Sequence, residues 1–237
     1  MSDSRERSIV LLSGGLDSVV SMACASDQSE IILALTFDYG QRAAEREIAA
    51  AHACCRIFGV PHRVLRLDWL AGISRSALID ASAAIPRVDE GQLETMDQAS
   101  LRAVWVPNRN GLFIHIAAAF AEALGAHLLV TGFNREEGQT FPDNSTAFVE
   151  AINRSLALST LTSVRVVSYT QRLTKLEIVR LGLDRGAPLD VIYSCYSGEE
   201  PMCGACESCA RLKRAFRAAG QWPIIRHRFQ AGPDRGQ

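Results

Sequence analysis

The sequence predicts an α/β fold, a doubly wound five-stranded parallel sheet with a C-terminal metal-binding segment, on three observations. Short, almost continuously apolar runs alternate with helix-length amphipathic stretches, the pattern of a sheet covered on both faces. The first run, Ile9–Leu12, passes directly into the small, polar turn Ser13-Gly14-Gly15-Leu16-Asp17-Ser18. Four of the seven cysteines crowd between residues 195 and 209.

Ile9–Leu12 reads as the first strand, and the apolar stretch beginning at Val19 and Val20 as the first helix. A strand ending in a Ser/Gly turn at a helix start aims free backbone N–H groups and the positive end of the helix dipole at one point, an arrangement suited to a polyphosphate. Gly14 and Gly15 let the backbone turn tightly and approach an anion, Ser13 and Ser18 add hydroxyl donors, and Asp17 is placed to hold a magnesium ion or to orient the loop. No Gly-Lys-Ser/Thr ending follows, so this is not the phosphate loop of kinases and GTPases.

Ile31–Phe37 is a buried parallel strand ending at Asp38-Tyr39-Gly40, Ala43–Phe58 a helix closed by Gly59 and Pro61, and His62–Leu67 a third strand. Residues 70–104 break the rhythm, with few large apolar groups, and are expected to be an irregular insertion, a functional lid or a mobile segment rather than a core element. Arg109–Leu124 resumes as a helix with Leu112, Phe113, Ile116, Phe120 and Leu124 on one face. His127–Thr131 is a strand, followed by a polar loop to Ser145, a helix over Thr146–Leu158 and a fifth strand at Val164–Val167. Thr174–Asp184 is a helix capped by Thr174 with Glu177 three residues on. Beyond the domain at 8–190, residues 191–220 hold the cysteines and a basic helix, Arg211–Ala219, and 221–237 are expected to form a poorly packed tail.

With 25 Lys and Arg against 26 Asp and Glu the net charge is −1, so no nucleic-acid partner is expected. No apolar run approaches the roughly 18–20 residues that span a bilayer, and Met1–Arg7 is too polar for a secretory leader; a cytoplasmic protein is expected. An odd cysteine count argues against a disulfide framework, and Cys24, Cys54 and Cys55 read as small buried residues. His115 and His127 have no ligand-type neighbours and read as packing or surface groups.

Cys195, Cys203, Cys206 and Cys209 combine two consecutive C-x-x-C steps with a fourth thiol, a set suited to a structural zinc ion (Zn2+); an iron–sulfur cluster and reactive thiols are the lesser alternatives. Arg109, Lys175 and Arg211 are the cations best placed to neutralise charge on a departing pyrophosphate.

The SGGLDS turn resembles the loop of enzymes that split ATP to AMP and pyrophosphate while adenylating a substrate. Together with Val106-Pro-Asn-Arg-Asn110, Thr131-Gly-Phe-Asn134, Phe141-Pro-Asp143, Lys175-Leu-Glu177 and the four cysteines, it makes residues 8–217 resemble the 7-cyano-7-deazaguanine synthase family of the queuosine pathway. The resemblance implies a Rossmann-like ATP pyrophosphatase domain and an ATP-dependent ligase that converts 7-carboxy-7-deazaguanine and ammonia to the nitrile through an acyl-adenylate and an amide. It implies that Val10, Leu11, Leu12, Ser13, Gly14, Gly15, Leu16, Asp17, Ser18, Val19 and Val20 form the ATP-binding strand, loop and helix start. Ser13, Asp17 and Lys175 would serve catalysis with magnesium (Mg2+), Arg109, Asn110 and Asp143 would bind the substrate, and the four cysteines would bind zinc, in a homodimer. The chain departs from the family pattern in two places, both expected at the substrate: Ala43 stands where histidine is usual, and Gln139-Thr-Phe-Pro-Asp-Asn144 stands where Ser-Gly-Tyr-Pro-Asp-Cys is usual. A relative that stops at the amide, or a tRNA-modifying enzyme sharing the loop, are the alternatives.

Overall fold

Successive strand residues point to opposite faces, and here both faces are apolar. In this computed structural model, which describes residues 5–95 and 98–230, β1 (Arg7–Leu11), β2 (Glu30–Asp38), β3 (His62–Arg66), β4 (Leu128–Val130) and β5 (Arg165–Val167) form one wholly parallel sheet. Its order is β3-β2-β1-β4-β5, with β1 central. Along the chain the helices are α1 (Leu16–Gln28), α2 (Ala44–Phe58), α3 (Asp68–Ile73), α4 (Gln98–Ala103) and α5 (Arg109–Leu124). They continue as α6 (Arg135–Thr140), α7 (Thr146–Ser159), α8 (Lys175–Asp184), α9 (Glu207–Ala218) and α10 (Trp222–Ile225).

Val10, Leu128 and Val130 pack with Val20 of α1, Cys54 of α2, Ile178 of α8 and Phe216 of α9. Their neighbours Ile9, Leu35 and Leu129 pack on the opposite face with Ile114 of α5 and Leu156 of α7. Each such Val, Leu, Ile or Phe side chain, withdrawn fully from water, contributes about 1.5–3 kcal/mol. Local signals agree with this packing: Thr174 and Glu177 close a capping box on α8, and Gly59 ends α2 in the left-handed conformation.

Three segments differ from expectation. The stretch before Ser145 was expected to be loop, yet it contains α6, which Asn134 starts by accepting the Glu137 N–H on its side-chain oxygen. The last long helix begins at Glu207 rather than Arg211. The expected loose tail is anchored as far as residue 230: Ile225 and Phe229 are buried, Met202 N–H donates to the Arg228 carbonyl at 2.7 Å, and Gln230 N–H to Met202 at 3.0 Å. The remainder of that tail, 231–237, lies outside the described residues.

Residues 70–104 contain α4 and a 3₁₀ turn at Glu90–Thr95; positions 96 and 97 lie outside the described residues. Leu70, Ala77, Leu78 and Leu93 are buried, and Val88 N–H donates to Ala205 at 2.9 Å, joining this segment to the cysteine region. Among the described residues no helix is long and apolar enough to cross a membrane.

Candidate functional site

Where β1, β2 and β4 end, the sheet opens into a cavity of about 250 Å³. The connection reverses direction across the sheet there, which is where open parallel sheets offer a crevice to ligands. The turn from β1 to α1 forms one wall. Gly14 makes the turn at φ +77°, and a Cβ there would lie 2.8 Å from Ala50 Cβ, the Ala51 nitrogen and the Glu47 carbonyl. Gly15 is the N-cap of α1 and has no side chain to satisfy the first-turn amides. Ser13 and Ser18 hydroxyls stand 3.1 Å apart, and Gly15 N–H donates to Ser13 Oγ at 3.3 Å. Tyr193 N–H donates to the Gly14 carbonyl at 2.9 Å and holds the turn from outside. An uncapped positive helix end beside two hydroxyls favours an anion.

Lys175, the first residue of α8, reaches back to this turn. Its Nζ donates to Asp17 Oδ2 and, at 2.7 Å, to Glu137 Oε1. Asn134 Nδ2 also donates to Asp17 Oδ2, at 3.4 Å, while Asp17 Oδ1 is buried without a hydrogen-bond partner. Burial pushes the Asp17 carboxyl up to about 6, with Lys175 pulling the other way. Burial alone would discharge Lys175, but Asp17 and Glu137 outweigh it and hold the ammonium firmly protonated. A buried carboxylate oxygen lacking a donor fits a hard divalent cation, so Asp17 is the residue that would hold magnesium.

The far end of the cavity is aromatic. Phe37 stacks on Phe113 with centroids 4.1 Å apart, and Trp105 lies nearly parallel to Phe141 at 6.0 Å. The Arg109 guanidinium donates to Tyr39 Oη at 3.2 Å. Asn110 Nδ2 donates to the Asp143 carbonyl at 3.2 Å, and Asn144 Nδ2 to the Asp143 carboxylate at 3.0 Å. Burial raises the Asp143 and Glu47 carboxyls, partly offset by Arg109 and by Gln41 respectively. This part of the lining thus combines aromatic rings with two carboxyls raised by burial and a guanidinium held by Tyr39.

The structure thus brings Ser13, Gly15, Asp17, Ser18 and Lys175 to one cavity with Arg109, Asn110 and Asp143; Leu11, Leu12 and Leu16 also line it. Val10, Val19 and Val20 do not, being fully buried beneath the turn, and Gly14 serves the fit onto α2. Arg211 was expected to face the phosphates, but it is buried between Glu207 and Glu136 and lies outside the cavity lining. Of the two departures from the family pattern, Asn144 lines the cavity, whereas Ala43 is buried in the core. Sequence reasoning missed Tyr39, Glu47, Trp105 and Glu137. Tyr39 follows a strand's carboxyl end and was findable on that ground; Glu137 lay in a stretch read as loop and gave no signal.

Cys195, Cys203, Cys206 and Cys209 place their four sulfurs within 4.8 Å of one another, with Cys203 and Cys209 at 4.0 Å. Tetrahedral zinc with bonds of about 2.3 Å sets its sulfurs roughly 3.8 Å apart, close to this spacing. Backbone N–H groups of Cys203 and Cys206 donate to sulfurs at 3.4 Å, as metal thiolates require to offset their charge. The cluster could therefore hold a metal ion, and its four thiol ligands would leave no position for water.

The family model described as Queuosine biosynthesis protein QueC matches residues 7–220. The 7-cyano-7-deazaguanine synthase of Pelotomaculum thermopropionicum is 56% identical over 216 residues, covering 90% of this chain and 98% of that protein. Those of Carboxydothermus hydrogenoformans and Desulforudis audaxviator are each 51% identical, covering 89% and 90% of this chain and 98% of each relative. With the phosphate-type turn, the cavity and the four-cysteine cluster in one fold, the chain belongs to the QueC family of queuosine biosynthesis proteins.

Proposed function

We propose that this chain is an ATP-dependent carbon–nitrogen ligase that converts 7-carboxy-7-deazaguanine and ammonia to 7-cyano-7-deazaguanine, releasing AMP and pyrophosphate. The observation that carries the proposal is the uncapped start of α1, with Ser13, Ser18, Asp17 and Lys175 around it, opening onto the same cavity as the aromatic pairs. A carboxylate resists ammonia until one oxygen becomes a good leaving group; AMP on that oxygen supplies one, and activating the resulting amide oxygen in the same way lets it leave to give the nitrile.

The turn amides and hydroxyls bind the polyphosphate. Lys175 neutralises charge gathering on the departing pyrophosphate. Magnesium held at Asp17 would share that charge and orient the phosphates. The aromatic end grips the deazapurine ring by its faces, Asp143 accepts from its guanine-like N–H edge, and Arg109 and Asn110 fix its orientation. Zinc at the four cysteines would be structural. The family resemblance extends the proposal to a homodimer, the near-neutral net charge supports a small-molecule rather than a nucleic-acid partner, and Leu78 and Val104, which line the cavity, support a lid role for residues 70–104. Asn144, standing in the cavity where cysteine is usual, supports a second reading, arrest at the amide.

Mass spectrometry of a reaction containing the protein, ATP, magnesium, ammonium and the acid tests both readings. Nitrile with AMP in twice the amount of product is the expected result. Amide accumulating with AMP in equal amount establishes the second reading, and no acid-dependent AMP overturns both.

A further inference from the structure

Arg211 lies on α9 two residues beyond Cys209 and is almost completely buried. Its guanidinium spans two carboxylates: Nε donates to Glu207 one turn back, and a terminal nitrogen donates to Glu136 Oε2 at 2.9 Å. The second Glu207 oxygen accepts the hydroxyl of Tyr196, a cavity residue, at 2.8 Å. The second Glu136 oxygen accepts the backbone N–H of Lys175 at 2.8 Å. One guanidinium therefore joins the four-cysteine segment to α6 and to the first residue of α8. The next residue of α6, Glu137, holds the Lys175 ammonium together with Asp17. Lys175 is pinned at both ends, its amide by Glu136 and its side chain by Glu137, and both acids belong to the same helical turn.

We propose that Arg211 is a positioning residue: acting through Glu136, it fixes α6 against the start of α8 and so sets the Lys175 ammonium over the phosphate turn. The inference rests on the reading of Lys175 and Asp17 as nucleotide-handling groups. Arg214 also reaches Glu136, at 3.5 Å and from a more exposed position, so it is a weaker second tie. Without Arg211, Glu207 and Glu136 lose a buried shared counter-ion, and α6 is left with the weaker Arg214 tie to α9.

The sequence contains only two lysines, Lys175 and Lys213, which makes the test direct. Lys213 lies on α9 itself, donating to the Gly204 carbonyl at 3.1 Å, and so reports on whether the cysteine segment stays in place. Competitive acylation of lysines with peptide mapping, metal content per chain, and acid-dependent ATP–pyrophosphate exchange are compared in the full chain, Arg211→Met, Arg211→Lys and Glu136→Ala. For Arg211→Met we expect unchanged metal and Lys213 labelling, Lys175 labelling about fivefold faster, and an exchange kcat at least tenfold lower with a smaller change in KM for ATP. Arg211→Lys recovers part of both effects. Glu136→Ala, which leaves the Arg211–Glu207 pair on α9, reproduces the faster Lys175 labelling. Unchanged Lys175 labelling in either Arg211→Met or Glu136→Ala overturns the proposal. So does Lys213 labelling that rises with Lys175, or loss of metal, because Arg211 would then merely hold the segment in place. If the unaltered chain shows no exchange, the ligase reading fails, while the labelling still decides whether Arg211 positions Lys175.

Discussion

Asp17 is pulled in two directions. Burial favours its neutral form and Lys175 its charged form, and burial wins by enough to leave its carboxyl near 6. Only the carboxylate can pair with Lys175 or hold a divalent cation, so the competent form is the one populated above that pH. The acid-dependent exchange rate at low magnesium is therefore expected to rise with pH through about 6. Raising magnesium should move this limb to lower pH, because the cation competes with the proton for the same oxygens. A rate that is flat across the limb, or a limb that ignores magnesium, would remove Asp17 from the metal-holding role. Glu137 stays ionised throughout, since Lys175 and the Asn134 amide outweigh its burial and hold it below the usual carboxylate range.

The helices and strands hold these groups in place through a few close approaches, and the two glycines of the phosphate turn separate fit from function. Gly14→Ala would force a Cβ into three atoms at 2.8 Å at a positive φ, and is expected to cost on the order of 2 kcal/mol or more in urea unfolding. Gly15→Ala meets only Ser13 Oγ at 3.4 Å and the Tyr193 carbonyl at 3.6 Å with φ near −81°, so its midpoint should stay close to that of the unaltered chain. Equal losses in the two variants would contradict this account. The same distinction explains what the sequence could disclose. The turn from β1 to α1 and the grouping of the four cysteines were visible in the sequence because each is carried on one short stretch. Helices α1, α2, α5, α7 and α8 were legible from their apolar spacing or caps. Six-residue α6 has no apolar face to show, and in the tail Trp222, Ile225 and Phe229 are interleaved with Pro223, Arg226 and Arg228, so only the tertiary docking onto Met202 identifies it as packed. Arg211 was misplaced for a related reason: a basic helix next to a cluster of thiols gives no sign of which buried acids it will meet.

Among the described residues, the four-cysteine segment meets both the irregular stretch at 87–88 and the tail at 228–230. Arg87 bridges to Cys206, Met202 bridges to Phe229, and Trp222 packs between Phe229 and Arg217. Stripping metal from this site is expected to lower the melting temperature by about 2–4 °C for each kcal/mol of binding lost, and to change Trp222 fluorescence in the same transition, with both restored by zinc. Unaltered melting in chains shown to be metal-free would mean that apolar packing alone holds the segment. The hydrogen bond from Tyr193 to Gly14 has a further consequence, for the order of synthesis. The central strand β1 is made first, but its second neighbour β4 begins only at Leu128, and the group that closes the phosphate turn arrives only at residue 193. A nascent chain thus carries its most recognisable motif from the outset without the clasp that shapes it. A fragment ending before residue 193 lacks the backbone N–H that the Gly14 carbonyl accepts in the folded chain.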